Sequence, residues 1–339
     1  MRYDDIWIAG TGSALGDLVP ASEAVDDGRY SATDAVTTGM VSVSESESSP
    51  ADLAVRAGRA AMRAGRQVAA EHGTAWRGFH LHGASYAQGP VLWSAACAIA
   101  ARLVGPAIDG LSVQVDAMCN GSMAALEMAA AVLAARPDIP AALVTSGDQF
   151  PVGAVNRWRT DSGLVMGDGA AAVVLRPGGG RLRLLASSSF TDGELAALHA
   201  MPPEGDPPGP LELRNRLRVY LTEGDHGPRA VLARSVAGIR TVVGQALAQA
   251  GCDLGDVRWV VPPFIGRGLF RAHYATPFGI DPARTLLDFG LRVGHCGAAD
   301  QLIGLDHLVR NGLLRTGDRV LLVGEGVGLT FSCAVLQAG

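Results

Sequence analysis

Cys119 stands at a corner. In QVDAMCNGSMAALEMAAAVLAA (residues 114–135) a strand-like run ends, a thiol and a glycine follow, and a long Ala/Leu/Met helix begins. A helix N-terminus carries roughly half a positive charge and free N–H groups. Both favour thiolate over thiol, and the same N–H groups can hold a developing oxyanion. Gly121 lets a substrate approach the backbone closely. The competing reading is a buried structural cysteine, a common fate of a free thiol. A second corner, GHCGAAD (294–300), carries His295. Either it serves the turn by satisfying backbone groups, or it takes the proton of Cys119. Asp300 either caps the helix that follows or accepts from the other ring nitrogen and orients the imidazole. A third corner, GEGVG (324–328), offers a second oxyanion N–H, best supplied by Val327. Neither it nor GTGSALG (10–16) has the spacing of a phosphate or dinucleotide loop.

These corners need elements to hold them. Ser49 and Pro50 open a helix as N-cap and first helical residue. GFHLHGAS reads as a strand and LWSAACAIAARLV as a helix. LSVQVDAM is a strand that reaches the Cys119 corner and its helix, which stops at Pro137; the strands AALVTSGDQ and GDGAAAVVLRPG follow. The C-terminus repeats this order. RTLLDFGLRVG, read as a strand, reaches the His295 corner, then come the helix QLIGLDHLVRNGL and the strands DRVLLVGEGVG and LTFSCAVLQAG. Such self-similarity implies a duplication, with a mainly parallel sheet and helices on its faces. The halves divide as 1–180, bearing the cysteine, and 181–339, bearing the histidine and aspartate. In a two-fold repeat, equivalent corners meet where ligands bind, at strand carboxyl ends. IWIAGTG reads as a first strand ending in a glycine turn. Residues 23–49 and the Pro-rich 200–212 read as surface loops that set the pocket size.

Composition excludes several classes. With 48% hydrophobic and 18% charged residues, the 339-residue chain can bury a large core. Its net charge is -5 and it has no basic block, which argues against nucleic acid. The five cysteines are odd in number and scattered, which argues against disulfides or a metal site and for a reducing, cytoplasmic setting. No secretory leader is read in MRYDDIWIAGTG, and no unbroken apolar run of membrane length occurs.

Taken together, VDAMCNGSMAALEMA, GDQF, TDSGLVMGDGAAAVVL and VGHCGAADQLIGLDHLVRNGLLRTGDRVLLVGEGVGLT resemble a ketosynthase III-type member of the thiolase superfamily over nearly the whole chain. The resemblance implies an α/β thiolase fold, five-layered α-β-α-β-α, a homodimer, and an acyl-thioester at Cys119. It also implies no bound cofactor, with acyl-CoA or an acyl carrier protein as donor. Condensing members use Cys, His and Asn. Here Pro263 replaces the His of a PHQAN-like stretch, and His295 replaces the Asn of a GNTSAAS-like one. A Cys119–His295–Asp300 set remains, suited to acyl transfer onto an alcohol or amine, with His295 deprotonating an incoming hydroxyl. It resembles an acyltransferase subgroup of antibiotic and polyketide pathways, some of whose members form malonyl esters on glycosylated aromatic polyketides. The alternatives are a starter-selecting enzyme that primes a polyketide synthase, a thioester hydrolase, and a catalytically silent ketosynthase partner. Ser162 stands where coenzyme A-using members carry Arg, and Arg157 and Arg159 are candidates to compensate. His199 is a candidate for the acceptor entrance. Trp93 and Tyr86 are candidates for the pocket floor near the dimer interface.

Overall fold

Period-2 alternation decides which way each strand faces. In the computed structural model, which describes residues 1–66, 75–201, 205–224 and 226–339, nine strands form one sheet. They are β1 (Arg2–Leu15), β2 (Phe79–Ala84), β3 (Ser112–Asp116), β4 (Ala142–Asp148), β5 (Gly169–Arg176), β6 (Leu182–Thr191), β7 (Val257–Val261), β8 (Arg319–Gly326) and β9 (Thr330–Ala338). Their order is β7-β8-β9-β6-β1-β5-β4-β2-β3. At the middle of the sheet, β6 pairs antiparallel with β1.

Helices α1 (Pro50–Ala64), α2 (Ala95–Val104), α3 (Gly121–Ala135), α4 (Leu213–Glu223), α5 (Pro228–Ala250), α6 (Leu287–Val293) and α7 (Asp300–Arg310) complete the frame. On β5, Ala170, Ala172 and Val174 face the α1/α2 layer, while Ala171, Val173 and Leu175 face the central one. On β8, Val320 and Leu322 face the centre, and Leu321 and Val323 face α5. The central layer is α3 and α7, whose Met123, Leu126, Leu302 and Leu305 share one core with strands of both halves. Two outer cores and a central one that spans both faces of α3 and α7 thus fill the four interfaces of five layers, the α-β-α-β-α order of the thiolase fold. The segment Met118–Ala135 is long and apolar enough to cross a membrane. Here it lies in that central layer, where apolarity serves burial against two sheet faces.

Four readings are corrected. Only three of the eight strand pairings in the sheet are parallel: β2·β3, β2·β4 and β7·β8. The other five are antiparallel, because strands such as β8 and β9 are joined by a tight hairpin with no crossover helix. RTLLDFGLRVG is not a strand. It contains α6, whose Leu287, Gly290 and Leu291 are buried at helical spacing, a periodicity that a short apolar run disguises. β1 runs straight through its glycines. Gly10 is required there because a Cβ would meet Ala61 O at 2.2 Å, so α1 lies directly on the strand. Residues 23–49 are not a surface loop but hold two short helices, a strand, and buried Ala24, Tyr30, Met40 and Val43. Ser49 does cap α1, accepting from Asp52 N–H, with Pro50 at the first turn. The described part of 200–212 is without helix; residues 202–204 lie outside the described residues.

A buried polar chain ties β2 to the corners. Gln88 Oε1 can only accept, so His82 Nε2 donates to it (2.9 Å). His82 Nδ1 then accepts from the Thr145 hydroxyl (2.9 Å), which accepts from His80 Nε2 (2.9 Å). The Gln88 amide donates to Asp148 Oδ1 (3.3 Å), and Asp148 also accepts from Ala298 N–H (2.9 Å), in the His295 corner. Burial pushes His80 down to about 3 and His82 to about 4, and pushes Asp148 up to about 6. A histidine depressed in the folded state stays neutral while the unfolded chain takes up protons below its ordinary 6.5, so stability falls as pH drops. Replacing His82 by Gln is expected to remove about 2 kcal/mol of the loss between pH 7 and 5. Denaturant midpoints at both pH values test this, and an unchanged pH slope in the variant would refute it.

Candidate active site

Cys119 lies in the turn Met118–Asn120, immediately before α3. Met118 holds φ at 50°, a left-handed conformation costly for a side chain with a Cβ. Strain at the residue before the thiol is stored by packing from β8. A Cβ on Gly326 would meet Ala117 O at 2.5 Å, and one on Gly324 would meet Asn120 Oδ1 at 2.2 Å. The glycines of GEGVG therefore exist to let the strand press on the cysteine turn.

His295 is held by backbone on both sides. Its N–H donates to Val165 O (2.8 Å), and its carbonyl accepts from Gly167 N–H (2.9 Å). The ring bridges the two remaining partners. Nε2 lies 3.1 Å from Cys119 Sγ, and Nδ1 lies 2.6 Å from Asp300 Oδ2. Asp300 is fully buried and also accepts from Phe264 N–H (2.7 Å) and Cys296 N–H (2.8 Å). Its oxygens are thus spent on orienting neighbours rather than on capping α7. Burial opposes a charged His295, but the Asp300 carboxylate and the Cys119 sulfur outweigh it and hold the imidazole well above its ordinary range. The neighbouring Cys296 is fully buried, and burial together with Asp300, Asp168 and Asp148 pushes its thiol well up. Of the two thiols near His295, only Cys119 reaches the cavity.

That cavity has a volume of about 380 Å³. Cys119, His295, Val327, Pro263, Ser162 and His199 all line it. Pro263 has neither a side-chain donor nor an N–H, so this corner supplies no group to bind a thioester carbonyl as an imidazole would. Much of the wall is Leu213, Leu217 and Leu221 of α4 together with the start of α5. No described residue of 23–49 or 200–212 lines it, which corrects the source of pocket size for the described residues.

The two arginines are corrected as well. Arg157 is buried and donates to Asp168 (2.9 Å), Phe150 O (3.0 Å) and Met166 O (2.9 Å). It is a strut for a buried carboxylate. Arg159 donates to Gly28 O (2.8 Å) and Arg29 O (3.2 Å). Both line a separate surface cleft with Val152 and Pro210. Trp93 is 44% exposed beside exposed Val91 and Leu92, and Tyr86 packs on Phe150; neither lines the cavity of its own chain. Sequence reading passed over Asp161, His273 and Glu325, which do line it. A carboxylate set between glycines in GEGVG was the available signal. Among the described residues, no cluster of three or more His, Cys, Asp or Glu is placed to hold a metal ion.

The chain can now be set against known proteins. Residues 113–193 match the family described as 3-oxoacyl-[acyl-carrier-protein (ACP)] synthase III, and 247–338 match its C-terminal counterpart. Beta-ketoacyl-[acyl-carrier-protein] synthase III 3 of Streptomyces coelicolor is 32% identical over 250 residues, 70% of this chain and 69% of its own. Among solved structures, ChlB3, described as an acyltransferase, superposes with a TM-score of 0.88 at 34% identity, covering 99% of this chain and 98% of that one. The 3-oxoacyl-(acyl carrier protein) synthase III of Pseudomonas aeruginosa PAO1 has a TM-score of 0.78 at 24% identity, covering 99% of this chain and 98% of that one, a likeness of fold. The chain belongs to the 3-oxoacyl-[acyl-carrier-protein] synthase III family of the thiolase superfamily and is a ketosynthase III-like transferase.

Proposed function

We propose that the protein moves an acyl group from an acyl-CoA or acyl-carrier-protein thioester onto Cys119, and from there to a hydroxyl of a small secondary-metabolite acceptor such as a glycoside. The product is an ester, formed without decarboxylative condensation. The observation that carries this reading is the 3.1 Å approach of His295 Nε2 to Cys119 Sγ, at a corner where condensing enzymes use an amide. The thiolate attacks the donor carbonyl, and the departing thiolate takes the imidazolium proton. Cys119 is then a neutral thioester, so one of the charges that supported imidazolium is gone. Neutral His295 removes the acceptor's hydroxyl proton as the oxygen attacks, and Cys119 leaves as thiolate beside the renewed imidazolium. Asp300 keeps Nδ1 engaged, so Nε2 faces the sulfur throughout. The Cys119 and Val327 N–H groups are our candidates for the oxyanion.

Ser162 on the cavity wall, with Arg157 and Arg159 tied elsewhere, supports a carrier protein over coenzyme A as donor. Exposed Val91, Leu92 and Trp93 support a homodimer, since a second copy would cover them. Five free thiols suit a reducing, cytoplasmic setting.

The lining supports an uncharged acyl group over malonyl. The described lining includes no arginine, and one of its imidazoles, His273, already faces Glu325 at 3.5 Å. Acetyl and malonyl thioesters, offered separately and followed by intact mass, test both points. Acetyl is expected to load Cys119 about tenfold faster, the cost of an unpaired charge in the cavity. Any malonyl that loads keeps its carboxylate. Loss of CO2 would point to the condensing route, and labelling that survives Cys119→Ala would remove the triad reading altogether.

A further inference from the structure

Resting on the acyl-transfer reading above, we propose that Glu325, Asp161 and His273 form a second polar pole of the cavity that seats a protonated amine of the acceptor, which is therefore an amino alcohol. The mechanism leaves these three residues unused. Yet they line the same cavity as Cys119, in a wall that is otherwise mainly aliphatic.

Strand alternation aims Glu325 there. Gly324 and Gly326 press on the cysteine turn, so the side chain between them leaves β8 on the opposite face, the one that Leu321 and Val323 present to α5. Glu325 is only 17% exposed and His273 16%. His273 Nδ1 lies 3.5 Å from Glu325 Oε2 and has no hydrogen-bond partner among the described residues. The pair is thus mainly electrostatic, at the outer limit of hydrogen-bond distance. Burial opposes a charged ring at both His273 and His199; Glu325, and after it Asp161, outweighs burial at His273, while Asp161 only partly offsets it at His199. His199 Nδ1 likewise has no partner, and burial keeps that ring below its ordinary basicity.

The balance of charge at this pole selects the ligand. Glu325 and Asp161 stand there with His273, and neither arginine nor lysine is among the described residues lining the cavity. The surplus is negative and partly desolvated, where a cation is worth most and an anion is penalised. An ammonium group offers three donors. Glu325 and Asp161 can accept two, and neutral His199 can accept the third through Nδ1. The apolar wall, Leu213, Leu217 and Leu221 on one side and Leu269 on another, takes the carbon skeleton, while a hydroxyl elsewhere on the acceptor reaches Cys119.

The probes are 6-amino-1-hexanol and 1,6-hexanediol, offered at pH 7.5 to protein pre-loaded from an acetyl thioester, with ester formation read by mass spectrometry. The amino alcohol is expected to show a KM at least about tenfold lower. That preference collapses in Glu325→Gln, shrinks in Asp161→Asn, and survives in part in Glu325→Asp. Equal KM values in the wild type overturn the proposal, as does a preference unaltered by Glu325→Gln. An amide product also overturns it, since the amine would then have reached Cys119 uncharged. Wild-type protein that never loads acetyl rejects the acyl-transfer reading instead. In that event calorimetric binding of hexylammonium, compared with hexanol, decides the seat on its own.

Discussion

Replacing His295 by alanine is expected to slow transfer from acetyl-Cys119 to a simple primary alcohol by about 10² to 10⁴. The reason lies in proton accounting. After loading, the acceptor hydroxyl must lose its proton as it attacks, and the imidazole 3.1 Å from the sulfur is the base within reach. Loading slows too, because the resting imidazolium is lost with the ring, so a pre-loaded single-turnover measurement is needed to separate the steps. Cys119→Ala supplies the baseline, with no covalent intermediate at all. A change under about twofold in His295→Ala would place the base elsewhere, and His199 would be next in line, since it lines the same cavity with Nδ1 unpartnered.

Asp300→Asn is expected to lower the same rate by at least about 10² and to move its acid limb to lower pH. An asparagine fits the space, but it removes the charge that outweighs burial and raises His295. It also sets an amide where Phe264 N–H, Cys296 N–H and the ring now converge. Stability should follow the same linkage. A histidine raised in the folded state contributes fully below its unfolded value of 6.5, and that contribution is lost as pH rises through the folded value. The wild type should therefore exceed Asp300→Asn most below pH 6.5, with the gap narrowing in alkali. Parallel denaturation curves at pH 6 and 9 check this. A gap that widens with pH, or an acid limb that stays put, would mean that Asp300 serves only the fold.

Much of the site was legible because local chemistry is written locally. A thiol before a helix start, a histidine between glycine and cysteine, and an aspartate five residues on are patterns of type and spacing. So was the Ser49–Pro50 helix start, whose cap is a contact three residues long. The misreadings share a cause. Leu287–Val293 is too short for its period to show. The Ser-rich look of 23–49 hides a few deeply buried side chains, Tyr30 and Val43 among them. Arg157 and Arg159 stand near Ser162 in the chain, but their partners are Asp168 and the carbonyls of Gly28 and Arg29. Glu325 and His273 were both passed over, because a pair formed between a strand end and a distant helix leaves no mark on either segment.

From its residues alone, the chain marked out a thiol, an imidazole and a carboxylate at turns that open helices, since side-chain chemistry, capping and strand alternation act over a few positions. Only the tertiary structure set the distance that makes them a site. Cys119 and His295 are 176 residues apart in sequence, yet Nε2 and Sγ lie 3.1 Å from each other, and that closure is created by strands on both sides packed on one shared helical layer. The same packing buried Cys296 and pushed its thiol up, set Asp300 and Cys119 where they outweigh burial at His295, and turned a glutamate between glycines into a wall of the cavity, because desolvation and proximity are properties of the packed interior and of no single stretch of chain.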